Sequence, residues 1–288
     1  MIIVNLTGGL GNQLFQYSFA RYLARINNCD LKLDVSSYEN YEWHNYSLSP
    51  FNIDEIFATP EECDYYKGTG LTIINKIYRK LFKLNYFLVE DSFQFNPKYK
   101  LWSSPVYISG YWQSEKYFKE LESELRNQFR ILIPASKKNQ EFIDQMQLEN
   151  SVSLHIRRGN YVDVSHVNEV HGTCSMNYYK SAVAIIASKV TNPKFYVFSD
   201  DIEWAKDNLV LNFETIFVDI NDSKTDYEDL RLMSTCKHNI TANSTFSWWG
   251  AWLNSSKNKI VVSPKIWFKD EDLNTLTSSL IPEEWYRI

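Results

Sequence analysis

Cysteine is scarce in this chain, and its spacing excludes two kinds of framework. Cys29, Cys63, Cys174 and Cys236 stand far apart and form no C-x-x-C pair. Neither a zinc-ligand set nor a disulfide scaffold is expected, only reduced thiols. Long apolar runs are also missing: the first, "MIIVNL", stops at Leu6, and nothing reaches the roughly eighteen residues a membrane-spanning helix needs. No signal peptide or transmembrane segment is expected. A surplus of positive charge is absent too. The 30 basic and 35 acidic residues give a formal net charge of -5, which offers nucleic acid no general attraction, so any anion site must be local. No D-x-D pair ends a strand among clustered carboxylates, so no metal is expected on a phosphate. No internal repeat or low-complexity tract occurs. The sequons at Asn5 and Asn243 fall in segments read as turns, where a glycan would not fit.

Aromatics are abundant, at 16% with nine Trp and nineteen Tyr. They suit sugar-stacking surfaces but fill cores more often. The length of 288 residues fits two domains on a prior of roughly 100–200 residues each. "MIIVNL" reads as a strand that leads through "TGGLG" into a helix with Leu14, Phe15, Phe19, Tyr22 and Leu23 on one face; "LKLDV" follows as a second strand. This β-α-β opening implies a mostly parallel sheet covered by helices. Helices are expected near Cys63–Tyr66 and Leu71–Phe82, and strands at Tyr86–Val89 and "SPVYISGYW". A single helix is expected from a Ser114 cap to about Phe129. The polar stretch from Pro134 to Asn150 reads as a linker or linking helix, giving domains 1–147 and 148–288. Beyond it "SVSLHI", "KFYVFS", "ETIFVDI" and "KHNITA" alternate with helical stretches near Met176–Lys189, Ile202–Asn208 and Asp226–Thr235. That alternation is the mark of a doubly wound nucleotide-type domain.

The glycine turn fits a dinucleotide fingerprint poorly. Gly9 and Gly11 supply two glycines, but Leu14 stands at the third position, and Asp34 is only at a possible distance for the ribose acid. What remains is a tight turn at a helix start flanked by the amides of Asn12 and Gln13, which suit a neutral polyhydroxyl ligand or simply cap the helix.

"SVSLHIRRGNYVDV" is the most informative segment. Extended geometry puts Val152, Leu154 and Ile156 on one face and Ser153, His155 and Arg157 on the other. Arg158 and Gly159 follow at the carboxyl end, where open α/β sheets bind ligands. Adjacent arginines in an acidic chain suit a diphosphate, and an interdomain salt bridge is the plainer alternative. Asp200 with Glu203 makes a capping box, yet its place at a strand end also suits the N–H groups of a purine. Thr225 and Glu228 form a second box. Asn243, Ser244, Thr245 and Ser247 stand at a helix start, offering backbone N–H groups and hydroxyls to an anion. Trp248, Trp249 and Trp252 read as core there.

With these segments quoted, the chain strongly resembles the bacterial α-1,2-fucosyltransferases. "GGLGNQLFQYSFA", "SVSLHIRRGNYV", "HGTCSMNYYKSA", "YVFSDDIEW", "LMSTCKHNITANSTFSWWGAWLN" and "SPKIWF" occur in family order over nearly the whole length. One departure stands out, because Asn160 replaces the aspartate of H-x-R-R-G-D-Y. The resemblance implies an α/β fold of two facing Rossmann-like domains of the GT-B type, with a donor cleft between them. It implies GDP-β-L-fucose as donor, a galactose-containing glycan as acceptor, inversion, and no cofactor or metal. Arg157 with His155 would be catalytic. Gly11, Asn12, Gln13, Arg158, Asn160, Asp200, Asn243, Ser244, Thr245, Phe246 and Ser247 would bind the donor. Asp163, Glu169, His171 and Asp201 stay open as candidates for the base. A cytoplasmic role in surface-polysaccharide synthesis is implied, at the inner face of the membrane if the acceptor is lipid-linked. The alternatives are a transferase of another nucleotide sugar or linkage, and a non-catalytic sugar-binding protein.

Overall fold

The computed structural model describes residues 1–39, 44–69, 81, 86–159, 162 and 165–288. The chain divides into two compact units, Met1–Leu132 and Ile133–Ile288. The first is built on β1 (Ile2–Asn5), whose Ile2, Ile3 and Val4 have no exposure, as a strand covered on both faces requires. With β2 (Leu31–Asp34), β3 (Phe87–Val89) and β4 (Val106–Ser109) it forms an all-parallel sheet in the order β2-β1-β4-β3. The helix Leu10–Ile26 follows the glycine turn and buries Leu14, Phe15, Phe19 and Leu23 completely. A helix at Pro60–Lys67 covers the expected Cys63–Tyr66. The helix expected at Leu71–Phe82 lies outside the described residues, Leu81 apart.

The single helix expected from Ser114 to Phe129 is corrected. Ser114 caps only a 3-10 turn at Glu115–Tyr117, and the α-helix is confined to Glu122–Gln128. Between them the backbone of Phe118 (φ -142, ψ 7) leaves the helical region as its ring enters the core.

The second unit holds β5 (Ser151–Ile156), β6 (Lys194–Ser199), β7 (Thr215–Phe217), β8 (His238–Ile240), β9 (Val261–Ser263) and β10 (Tyr286–Arg287). All are parallel, in the order β10-β9-β8-β5-β6-β7. Val152, Leu154 and Ile156 enter a core with Tyr179, Ala182, Val183 and Ile186 of the helix Met176–Ala187. The expected linker contains a helix, Lys137–Leu148, capped by Ser136. Ser151 Oγ donates to Met146 O at 2.7 Å and Asn139 exchanges amide hydrogen bonds with Asn221. That helix therefore belongs to the second unit, and the units divide ahead of it instead of at 147/148.

Candidate active site

In both sheets the strand order reverses beside one strand, and ligands of open α/β sheets bind outside the carboxyl ends at such a point. In the second unit the chain runs outward from β5 through β6 and β7, then returns as β8 on the other side of β5. Arg157, Asp200 and the helix Thr245–Leu253 follow the ends of β5, β6 and β8.

Arg157 Nη1 lies 2.8 Å from Asp200 Oδ2. Asp200 Oδ1 accepts the backbone N–H of Arg158 at 2.8 Å. A Cβ at Gly159 would run into the same carboxylate, so glycine is what lets the chain pass this close. Arg158 serves differently: its Nε meets Asp201 Oδ2 at 3.1 Å and its guanidinium stacks on Trp204, 3.7 Å from the ring centroid. Both arginines pair with acids of their own unit.

The capping register is corrected by one residue. Asp201, not Asp200, caps the helix Ile202–Asn208 by accepting from Trp204 N at 3.2 Å, which leaves Asp200 to the arginines. Thr225 makes no side-chain cap, and its hydroxyl turns back to Asp222.

His155 is buried beside Arg157 on β5, with its ring 5.8 Å from that of Phe246. Burial, helped by the Arg157 charge, pushes its pKa down to about 3. The imidazole is neutral at physiological pH, and among the described residues its Nδ1 has no hydrogen-bond partner. It is equipped to make hydrogen bonds and not to act as an imidazolium acid.

The helix-start residues separate into two groups. Asn243 Nδ2 reaches His171 O, Gly172 O and Trp267 O at 3.1, 3.2 and 3.1 Å, and Ser247 Oγ bonds Ser244 O and Ala242 N. Those two side chains face inward and hold loops together. Thr245 and Phe246 remain partly exposed, and Ser244 is the N-cap. Trp248, Trp249 and Trp252 are core, as their spacing suggested.

In the first unit the reversal lies between β1 and β4. Gln13 is fully buried: its Nε2 donates to Gly8 O and Asn45 O, and its Oε1 accepts from Ser47 N. The amide is engaged within its own unit and does not point to a ligand. Gly11 sits inside the first helical turn, and Asn12 Oδ1 accepts from Gln113 Nε2 at 3.1 Å. Asp34, 3% exposed, accepts from Ser36 N, Tyr107 Oη and Lys67 Nζ. Burial alone would raise its pKa, but these bonds outweigh it and hold the carboxyl well below the usual range. It is not presented to a ribose, which closes the dinucleotide reading.

Of the base candidates, Asp163 lies outside the described residues, as does Asn160. Glu169 is exposed, and Asp201 is taken by its cap and by Arg158. The ring of His171 lies 5.2 Å from that of Phe268; burial first and the Arg157 charge second keep its pKa low. Trp204, Glu90 and Gln113 went unnoticed in the sequence. Only the strand-to-helix position of Trp204, beside "SDD", hinted at a role. Among the described residues no three His, Cys, Asp or Glu gather as a metal site, and no helix is long and apolar enough to cross a membrane.

The model of glycosyl transferase family 11 matches residues 1–288. An α-1,2-colitosyltransferase of Escherichia coli is 36% identical over 293 residues, covering 100% of this chain and 99% of its own. The O-antigen biosynthesis glycosyltransferase WbnK of Escherichia coli is 34% identical over 301 residues, covering 94% and 96%. Among solved structures, fucosyltransferase NodZ from Bradyrhizobium aligns with a TM-score of 0.50 and 14% identity, over 86% of this chain and 92% of that one. The last is a likeness of fold, and the fold is the expected α/β architecture of the GT-B type.

Proposed function

The chain belongs to glycosyl transferase family 11, and from that membership we propose that it moves L-fucose from GDP-β-L-fucose to the 2-hydroxyl of a galactoside, inverting the anomeric carbon without a metal. The observation that carries the reading is Arg157, placed one residue beyond β5 at the sheet's reversal and oriented by Asp200. Its planar fork suits a diphosphate. As the glycosidic bond breaks, negative charge grows on the leaving diphosphate; a pre-oriented guanidinium and the N–H groups at the start of Thr245–Leu253 would stabilise it. Both oxygens of Asp200 are engaged, so we assign it to holding Arg157 and not to reading guanine. His155, being neutral, serves as a hydrogen-bonding group for the nucleotide. Similarity to an O-antigen glycosyltransferase supports a role in surface polysaccharide.

A second reading concerns the sugar. Identity of 36% to a colitosyltransferase over the full length favours testing colitose, the 3-deoxy counterpart of fucose, as the transferred group. GDP release from GDP-fucose and from GDP-colitose, with and without galactosides, decides between them. Acceptor-dependent release from GDP-fucose supports the first reading, release from GDP-colitose alone the second, and none from either contradicts both.

A further inference from the structure

We propose that Gln113 reads a hydroxyl of a bound sugar at the carboxyl edge of the first unit's sheet. The inference rests on the sugar-transfer reading above and names a specificity-determining residue for it. Gln113 follows β4 and ties its loop to the glycine turn after β1 through Asn12, across the point where the strand order reverses. Its other end is unsatisfied: among the described residues Oε1 has no hydrogen-bond partner, although the residue is only 6% exposed. Buried amide oxygens are rarely left so, because the missing bond costs stability.

The residue before it is under backbone strain. Trp112 has φ 55, a left-handed conformation that a bulky aromatic residue seldom adopts. The Glu90 carboxylate holds it there, accepting from Trp112 N at 3.1 Å and from Tyr111 N at 2.6 Å. Strain and an orphaned acceptor in adjacent residues of one loop, at a sheet's ligand edge, are the combination found where a segment is shaped for recognition.

The chemistry of the surroundings limits the ligand. Gln113 offers a carbonyl oxygen, which needs a donor. In the glycine turn opposite, Gly8 at φ 75 leaves room for the Asn12 amide that Gln113 bonds, so the turn fixes the orientation of Gln113. A carbonyl acceptor offers nothing to an anion. A neutral, hydroxyl-bearing ring fits, and its binding must uncover Oε1, which the fold buries. The hydroxyl belongs either to the transferred sugar or to the acceptor.

Gln113→Met removes the amide at similar volume, and Gln113→Glu keeps an acceptor oxygen. kcat/KM is measured for GDP-fucose against its 2-, 3- and 4-deoxy counterparts, and for methyl β-galactoside against its 3-, 4- and 6-deoxy analogues. The wild type should favour one hydroxyl-bearing member by roughly 10²-fold or more. Gln113→Met should abolish that one preference and leave the others, and Gln113→Glu should largely keep it. Loss in the donor series assigns the transferred sugar, and loss in the acceptor series assigns the acceptor. Preferences that all survive in Gln113→Met, or rates that fall equally for every analogue, overturn the proposal. If the wild type transfers from no donor, the transfer reading fails, and Gln113 is judged by saturation-transfer NMR of L-fucose and methyl β-galactoside. Contacts weakened in Gln113→Met but not in Gln113→Glu uphold it, and identical spectra overturn it.

Discussion

Arg157 and Asp200 meet at 2.8 Å across the ends of two neighbouring parallel strands. Each side chain is 24% exposed, and a pair so open to solvent contributes at most about 1 kcal/mol to stability. Yet Asp200 also holds the Arg158 backbone, and Gly159 is what leaves room for its carboxylate. Three consecutive residues thus fix where one guanidinium points, which is an arrangement suited to positioning charge and poorly explained by stability.

Asn243 is predicted to be structural. Its amide satisfies three backbone carbonyls from two separate loops, and Asn243→Ala would leave them unpaired at a cost of about 2–3 kcal/mol. The melting temperature should fall by roughly 5–10 °C, and donor KM in the folded fraction should change little. An unchanged melting temperature with weakened donor binding would return Asn243 to the ligand.

Glu90 should contribute a decline in stability as pH rises towards neutrality. Burial raises its pKa to about 7 against the opposing bonds from Trp112 and Tyr111, with Asp91 adding to the rise. The folded chain therefore keeps this proton above the pH at which the unfolded chain releases it. The stabilisation is complete below the ordinary glutamate range and is lost as pH passes about 7. Asp226 and Asp229, both raised to about 6 by burial, act in the same direction, while His155, His171 and His238, held below their ordinary values by burial, act against them. The wild-type melting temperature minus that of Glu90→Gln should fall by several degrees from about pH 5 to pH 8. An unaltered slope in Glu90→Gln would contradict the assignment.

Transfer should survive chelation. Arg157 already supplies charge for the leaving group, and the adjacent Asp200 is committed to it. Initial rates in excess EDTA should match those without it. Loss restored by Mg²⁺ or Mn²⁺ would mean that a metal carries the diphosphate.

Much of the fold was legible because buried parallel strands are written as short apolar runs. "SVSLHI" and "KFYVFS" correspond to β5 and β6 residue for residue. β9 and β10, of three and two residues, are too short to carry a period, and the Phe118 break is set by core packing that no local pattern displays. In the site, the motif spacing placed Arg157 and Asp200 at strand ends of one domain, but it did not say that the two strands adjoin or which arginine meets which acid. The answer follows from geometry at the strand exit: Arg157 lies against Asp200, while Arg158 turns to Asp201 and Trp204. Gln13 and Gln113 show the same limit. Both are amides near the glycine turn, and only their partners among the described residues reveal that one is satisfied and the other is not.

The most direct test is Arg157→Lys, measured as kcat and GDP-fucose affinity beside thermal melting. Lysine keeps the charge but replaces two aligned donors with one mobile ammonium. Because charge grows on the leaving group, kcat should fall more than donor affinity, by roughly 10²–10³-fold. The melting temperature should stay near that of the wild type, since each member of the pair is 24% exposed. Near-normal turnover in Arg157→Lys would contradict a leaving-group role for Arg157, and a collapsed melting temperature would make the pair with Asp200 a structural one.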